Sequence, residues 1–470
     1  MITFILNNKE VKTTLPSGTT VLDFVRYHQH LMGTKIGCRE GDCGACTVLV
    51  GELAAGELRY RTATSCLMPL GNAHGKHIVT VEGINMNALN PIQQAMADES
   101  ATQCGFCTPG FVMSLAGFCL SDTAPTVQHA IAAIDGNICR CTGYKSIERA
   151  AARIANLIES RTDESLVKFG TDKGIVPNYF STIQERLQAL ALHLNGDLRT
   201  TNRSAQRVGG GTDVYVQKHD EVKDASIQFL FDQQDLKGIR QEGNQCIIGP
   251  ASTVTDLIES PIMQTYFPYF NTYTKLVSSM PIRNMATIGG NFINASPIGD
   301  FTIFFLALDA TITLSDGTTS RQLPLRDLYL SYKTLEKRPE EYLKQICFEL
   351  PGSTTAFNFE KVSKRTHLDI ASVNSAIQLK IDDDIITSIR LSAGGVAPIP
   401  KRLTKTEAFL TGKSVTEAVV LEATKVAQTD ISPISDARGT EIYKRLLISQ
   451  LIKAHFIKFF PSLNVAQLLV

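Results

Sequence analysis

The sequence predicts a multidomain α+β protein, and three observations carry that prediction. Eight of the eleven cysteines form two compact sets in the first third of the chain. Near residue 84 the apolar pattern switches from the alternation of strands to helical spacing. Beyond residue 173, two Gly-rich loops are followed by strands and then helices. A chain of 470 residues has room for about three domains. The expected divisions are residues 1–83, 84–160, a charged linker at 161–172, 173–352 and 353–470.

Composition narrows the function classes. Formal net charge is zero and no basic block stands out, which argues against nucleic acid or an anionic membrane as partner. The apolar stretch Ile442 to Phe460 is interrupted by Lys444, Arg445, Lys453 and Lys458. It reads as an amphipathic surface helix and not as a membrane span. The N-terminus shows no basic, apolar and cleavable signal segment, so a cytoplasmic location and reduced thiols are expected.

In the first domain, Ile2 to Leu15 reads as two short strands around the turn Asn7-Asn8-Lys9. Thr20 reads as the N-cap of a helix whose apolar residues are Val21, Leu22, Phe24, Val25 and Leu31. Thr47 to Val50, Arg59 to Ala63 and Ile78 to Val81 suit strands. Between helix and strands lies Gly37-Cys38-Arg39-Glu40-Gly41-Asp42-Cys43-Gly44-Ala45-Cys46, with Cys66 further on. The C-x4-C-x2-C spacing is that of plant-type ferredoxins, and four Cys sulfurs are what a 2Fe–2S centre needs. The three glycines let the backbone wrap closely and aim amide N–H groups at sulfur. This domain is expected to be a ferredoxin-like β-grasp.

The second domain reads as four helices: Pro91 to Glu99, Pro109 to Leu120, Val127 to Ile134 and Ile147 to Ile158. Pro109 suits a helix start, where its missing N–H costs nothing. Cys104 and Cys107 precede one helix, and Cys139 and Cys141 precede another. This second set of four thiols, one CxxC with one CxC, suits another 2Fe–2S cluster. A structural zinc usually shows two CxxC pairs. Cys119, Cys246 and Cys347 sit in apolar runs and read as small core residues.

The C-x4-C-x2-C loop, with QCGFCTPG at 103–110 and GNICRCTGY at 136–144, resembles the iron–sulfur part of molybdenum-containing hydroxylases of the xanthine dehydrogenase family. The resemblance implies that the helical-domain cluster lies next to a molybdopterin cofactor on another domain or subunit. Gln103 matches the family glutamine that hydrogen-bonds that pterin.

Further on, Val208-Gly209-Gly210-Gly211-Thr212-Asp213 offers successive glycine amides, a nest for pyrophosphate. It departs from a nicotinamide fingerprint, because Val214 stands where Gly or Ala is wanted. Ala286 to Asp300 contains TIGGN and SPIGD and offers amides, hydroxyls and a carboxylate over a short span. Together the two segments resemble the FAD domain of the same family, an α+β flavin fold of the vanillyl-alcohol-oxidase (VAO/PCMH) type. That resemblance implies FAD contacts from Val208, Gly209, Gly210, Gly211, Thr212 and Asp213, and from Thr287, Gly290, Asn291, Ser296 and Asp300. Lys361 matches a family lysine near the flavin ring. One departure is Val277, where relatives often place an aromatic residue against the ring. Strands at Ser375–Ile381 and Ile385–Ala393, helices from Thr404, and the run Ala393 to Pro398 resemble the C-terminal α+β subdomain of CO-dehydrogenase-type flavoproteins.

The resemblance implies a relay. Electrons from a molybdenum centre on a partner subunit would pass through the Cys104/Cys107/Cys139/Cys141 cluster, then the Cys38/Cys43/Cys46/Cys66 cluster, then FAD, and leave to NAD. The molybdenum subunit would hydroxylate hypoxanthine or xanthine with water. No segment here supplies a molybdenum site, so a large partner subunit in a heterotetramer of two copies of each chain is expected. Two other readings stand beside it. One is the same relay in an aldehyde or N-heterocycle hydroxylase using oxygen or another acceptor. The other is a non-catalytic, zinc-stabilised maturation scaffold.

Overall fold

The structure, a computed structural model, describes residues 1–161, 165–194, 205–365 and 369–468. The chain forms two compact units, Met1–Asp232 with Ser279–Ala286, and Gln233–Ser278 with Thr287–Val470.

The first unit begins with the expected small sheet. Its strand order is Lys9–Thr13, Ile2–Leu6, His77–Val79, Thr47–Ala54, Glu57–Thr64. Ile2–Leu6 and His77–Val79 run parallel and the other pairs antiparallel. Asn7 turns the first hairpin at φ 51°, a left-handed angle that Asn tolerates well. Thr20 caps the helix as predicted, its hydroxyl accepting from the Asp23 amide at 3.2 Å. That helix is short, Val21–Asp23, and widens into a π-turn over Phe24–His28. Phe4, Leu22, Phe24, Val48 and Ile78 close the core beneath it.

The four expected helices follow at Pro91–Asp98, Thr108–Cys119, Val127–Ala133 and Lys145–Leu157. Asn90 starts the first with a full capping box, and Pro109 lies in the first turn of the second. The second helix is buried on nearly all sides and packs on the Thr47–Ala54 strand. Within the stretch expected as a linker, residues 162–164 lie outside the described residues. The rest of it carries a helix, Leu166–Asp172, held by buried Val167 and Phe169. Residues up to Asp232, including the parallel strands Gln206–Val208 and Ile227–Phe229, belong to this first unit.

The second unit holds a five-stranded antiparallel sheet, ordered Ser320–Pro324, Thr311–Ser315, Tyr342–Glu349, Gln245–Ile248, Ile239–Glu242. A four-stranded antiparallel sheet runs Thr355–Val362, Val373–Asp382, Ile385–Gly394, Lys401–Arg402. The helix Asp300–Ala307 packs on two strands of that second sheet. Helices Thr404–Leu410, Glu417–Asp430 and Glu441–Phe459 share its core. The last helix corrects the expectation of a surface element, because Lys444 and Lys453 are buried with Ile448, Ile452 and Phe456. The Lys444 ammonium stays paired there, donating to Asp436 at 2.6 Å and to the Ile434 carbonyl at 2.9 Å. A long apolar stem lets a lysine join a core when its head finds partners. Among the described residues no helix is long and apolar enough to cross a membrane.

Among the described residues, each unit buries one neutral histidine. His77 accepts from the Tyr60 hydroxyl at 2.7 Å and donates to the Asn7 carbonyl at 2.8 Å. His455 accepts from the Asn358 amide at 2.8 Å and donates to the Ser375 hydroxyl at 3.1 Å. Burial pushes both imidazoles down to about 3, from 6.5 in the open chain. Below pH 6.5 the unfolded chain therefore binds protons that the fold refuses. Stability is expected to fall from there toward pH 3, by up to about 1.4 kcal/mol per pH unit for each histidine. Thermal melts between pH 7.5 and 5 check this, and a flatter slope in His455→Gln assigns its share.

Candidate iron–sulfur and flavin sites

The first cysteine loop is shaped around its sulfurs. Gly41 and Gly44 take left-handed angles of 79° and 66°, as the wrapping loop requires. Gly37 has a different reason to be glycine. A Cβ there would lie 2.6 Å from the Cys43 sulfur, so the missing side chain makes room for the thiol. The four sulfurs come together as two pairs, Cys38 with Cys43 and Cys46 with Cys66. The Cys43 thiol donates to Cys38 and draws its pKa down, and Cys66 does the same for Cys46. Amides reinforce this: the Glu40 N–H points at Cys38 sulfur from 3.3 Å, and Gly41 offers one to Cys66. Arg39, itself at φ 59°, holds the Asp23 carboxylate at 2.6 and 3.3 Å. Burial alone would raise that carboxyl, but the guanidinium keeps it below its usual range. Arg39 thus anchors the loop to the helix beneath it.

The second set is also cross-paired, one thiol from each loop. Cys104 and Cys141 sulfurs lie 3.7 Å apart, and the Cys107 thiol is hydrogen-bonded to Cys139. Burial pushes the Cys107 thiol up to about 12. Burial would also raise Cys139, but the Thr142 hydroxyl, donating at 3.1 Å, and nearby amides draw it down. The Tyr144 hydroxyl accepts from the Cys139 amide at 3.1 Å, and Gly105, Gly143 and Tyr144 take left-handed angles. Cys104 and Cys141 are exposed, as are Gln103 and Phe106 beside them. This site therefore opens to the surface of its unit, while Cys46 and Cys66 are buried.

Pairing of the thiols bears on which metal they suit. A structural zinc gathers four ligands about one ion. Two pairs of thiols, with amides aimed at sulfur, fit a two-iron centre in which each iron takes two protein ligands.

The two sites are joined through their loops. The Ile138 amide donates to the Cys43 carbonyl at 3.0 Å, so a cysteine of one set is hydrogen-bonded to the residue before a cysteine of the other. The turn leading to Cys139 is gripped again at Asp135. Its carboxylate takes the Met280 amide at 3.1 Å and the Arg283 guanidinium at 3.0 Å, a pair under 10% exposed on both sides. Asn284 adds a bond of 2.8 Å to the Thr62 carbonyl. No sequence signal distinguishes Arg283 and Asp135 as partners, since they lie 148 residues apart.

The turn Val208 to Asp213 follows the strand Gln206–Val208 in the first unit. Its glycines answer close packing as well as any ligand. A Cβ on Gly210 would collide with the Met285 carbonyl oxygen, and Gly211, at φ 88°, would meet the Leu67 carbonyl at 2.8 Å. Gly209 gives its carbonyl to Asn72 at 3.0 Å. Thr212 is half-buried and Asp213 exposed at the start of the short helix Val214–Gln217. Gly210→Ala is expected to destabilise the fold by about 1–3 kcal/mol through overpacking. A lowered urea midpoint at unchanged slope would register it.

In the second unit, Thr287 caps the helix Ile288–Ile293, its hydroxyl accepting from Gly290 N–H at 3.1 Å. Asn291 turns its carbonyl oxygen to Thr302, taking the amide at 3.0 Å and the hydroxyl at 3.1 Å. The Ser296 hydroxyl accepts from the Ile298 amide at 3.4 Å. Asp300 opens the helix Asp300–Ala307 and is the centre of a polar group. It takes Lys361 at 2.8 Å on one oxygen and Asn374 at 2.6 Å on the other. Lys361 also donates to the Leu276 carbonyl at 2.7 Å, and its side chain is 1% exposed. It is therefore no surface lysine. Asp300 also lines a small apolar cleft beside Val277, Phe270, Tyr273 and Phe301. Asn374 was not singled out by sequence, because a lone Asn in a buried strand carries no motif.

Four family profiles match the chain nearly end to end. A 2Fe-2S iron-sulfur cluster binding domain covers residues 4–70, and a 2Fe-2S binding domain 80–152. The FAD binding domain in molybdopterin dehydrogenase covers 181–351, and the CO dehydrogenase flavoprotein C-terminal domain 358–459. The chain is thus built from the domains of an iron–sulfur flavoprotein. It carries the iron–sulfur and FAD-binding domains of the molybdenum hydroxylase family.

Among curated relatives is xanthine dehydrogenase of Emericella nidulans, 29% identical over 90% of this chain and 36% of that protein. Xanthine dehydrogenase of Oryza sativa is 28% identical over 96% of this chain and 39% of that protein. The chain thus spans little more than a third of the length of these relatives. Among solved structures, a chain of carbon monoxide dehydrogenase from Hydrogenophaga pseudoflava matches with TM-score 0.51 and 26% identity. That match covers 57% of this chain and 90% of the other.

Proposed function

We propose that this chain is the iron–sulfur and FAD subunit of a two-subunit, NAD-dependent xanthine dehydrogenase. The observation that carries the reading is the pairing of two four-thiol sites, joined by the Cys43 carbonyl and Ile138 amide, in a chain that also has the FAD domain. When bound, two one-electron clusters and a two-electron flavin let single electrons be gathered and released as hydride.

The residues present suit those groups. Cys38, Cys43, Cys46 and Cys66 would hold one cluster, and Cys104, Cys107, Cys139 and Cys141 the other. Amides of Glu40 and Gly41 would steady the charge on sulfur. Val208 to Asp213, Thr287, Gly290, Asn291, Ser296 and Asp300 would contact FAD, with Lys361 fixing Asp300. The exposed edge at Gln103, Cys104 and Phe106 would face a molybdopterin-binding partner subunit, in a cytoplasmic heterotetramer. There hypoxanthine or xanthine would be hydroxylated to urate. The similarity to xanthine dehydrogenases over 90% and more of this chain supports this substrate over the aldehyde or N-heterocycle alternative.

The test is to purify the chain with whatever accompanies it and add xanthine and NAD anaerobically. NADH formation with bleaching of the iron–sulfur colour supports the reading. Bleaching by an aldehyde or another heterocycle, but not xanthine, overturns the substrate. Zinc without flavin overturns the relay.

A further inference from the structure

We propose that Asn137 is a positioning residue for electron passage between the two cysteine sites, an inference that rests on the cluster assignment above. Asn137 is 5% exposed and sits two residues before Cys139. Its amide nitrogen donates to the Gly44 carbonyl at 3.1 Å, on the residue after Cys43. Its amide oxygen accepts from the Ser114 hydroxyl at 2.7 Å. That second bond fixes which end of the amide faces Gly44, since an Asn oxygen turned to a carbonyl would only repel it.

The contact it spans is backbone against backbone. A Cβ on Gly44 would collide with the Gly136 carbonyl, and one on Gly110 with the Gly44 carbonyl. Three glycines from three segments thus let Asn137 reach across. Its bond lies beside the Ile138-to-Cys43 bond and runs the same way, so two parallel bonds clamp the loop of one site to the loop of the other. The carbonyl of Gly44 is independently held by the Thr47 hydroxyl at 2.7 Å. Losing the Asn137 donor therefore leaves Gly44 satisfied but removes one of the two bonds that clamp the loops.

The step served is simple. With both clusters bound, one electron would leave the Cys104/Cys107/Cys139/Cys141 site and enter the Cys38/Cys43/Cys46/Cys66 site. One centre is oxidised by the unit by which the other is reduced, and no bond is made or broken. Its rate depends on how closely and rigidly the two loops are held, which is what Asn137 sets.

The experiment uses the holo-chain with both clusters, as wild type, Asn137→Ala and Ser114→Ala. Iron content and the two individual paramagnetic signals are recorded first, then the magnetic splitting between the reduced centres and the rate of electron exchange. Asn137→Ala is expected to keep iron while losing the splitting and slowing exchange about tenfold or more, as small misplacements do. Ser114→Ala, which keeps the donor but frees its orientation, is expected to fall between. Wild-type splitting and rate in both iron-replete variants would overturn the proposal. If Asn137→Ala does not load both clusters, Ser114→Ala decides by the same criterion. Two clusters missing from wild type would instead overturn the assignment on which the proposal rests.

Discussion

Cys43→Ser is expected to cut bound iron from about four to about two per chain, since each cluster holds two irons. FAD should remain bound, because none of the residues assigned to it lies in this loop. Electron delivery to NAD should be abolished. Serine preserves the backbone carbonyl that receives the Ile138 amide, so the fold between the two sites should survive. The Cys104/Cys107/Cys139/Cys141 site should therefore still load, and its own paramagnetic signal should persist. The readout is iron analysis beside NADH formation with the molybdenum subunit present. Normal turnover by a two-iron variant would break the proposed order of centres.

Lys361→Met is expected to have the largest effect on stability. Its ammonium is sealed from solvent and bonded to Asp300, whose other oxygen is held by Asn374. Removing the cation strands a largely buried carboxylate, which costs about 3–5 kcal/mol. The double variant Lys361→Met with Asp300→Asn should recover much of that loss, because no charge is left unpaired. Both variants should bind FAD more weakly, since Asp300 is one of its assigned contacts. Denaturant melts on all three proteins, with flavin content, separate the stability term from the cofactor term. Equal stability of single and double variants would mean the pair is not what Lys361 contributes.

What could be read from the chain follows from how local each constraint is. The cysteine spacings are local and dictated by ligand chemistry, so both sets were visible in sequence. The four helices were equally visible, since apolar spacing repeats within a few turns and Pro109 suits a helix start. The cross-pairing of Cys104 with Cys141 was not, because it depends on how two loops 37 residues apart meet. Glycine was legible as flexibility at Gly41 and Gly44 but not as space. Gly37 yields room to a sulfur, and Gly210 to a carbonyl from residue 285. Charged residues misled most. Lys444 and Lys453 read as charges on a solvent-facing helix, yet both are buried, Lys444 against the Asp436 carboxylate. The insertion of Ser279–Ala286 into the first unit has no sequence marker at all, since it is set by Asp135 and Thr62.

The most direct test of the relay is to reduce the holo-chain stoichiometrically under anaerobic conditions, then mix it with NAD. Two clusters and one flavin should give up about four electrons per chain as about two NADH. In that result the iron–sulfur colour returns together with the flavin's. If only the flavin pair leaves and the clusters stay bleached, the centres are not wired to one another and the account fails.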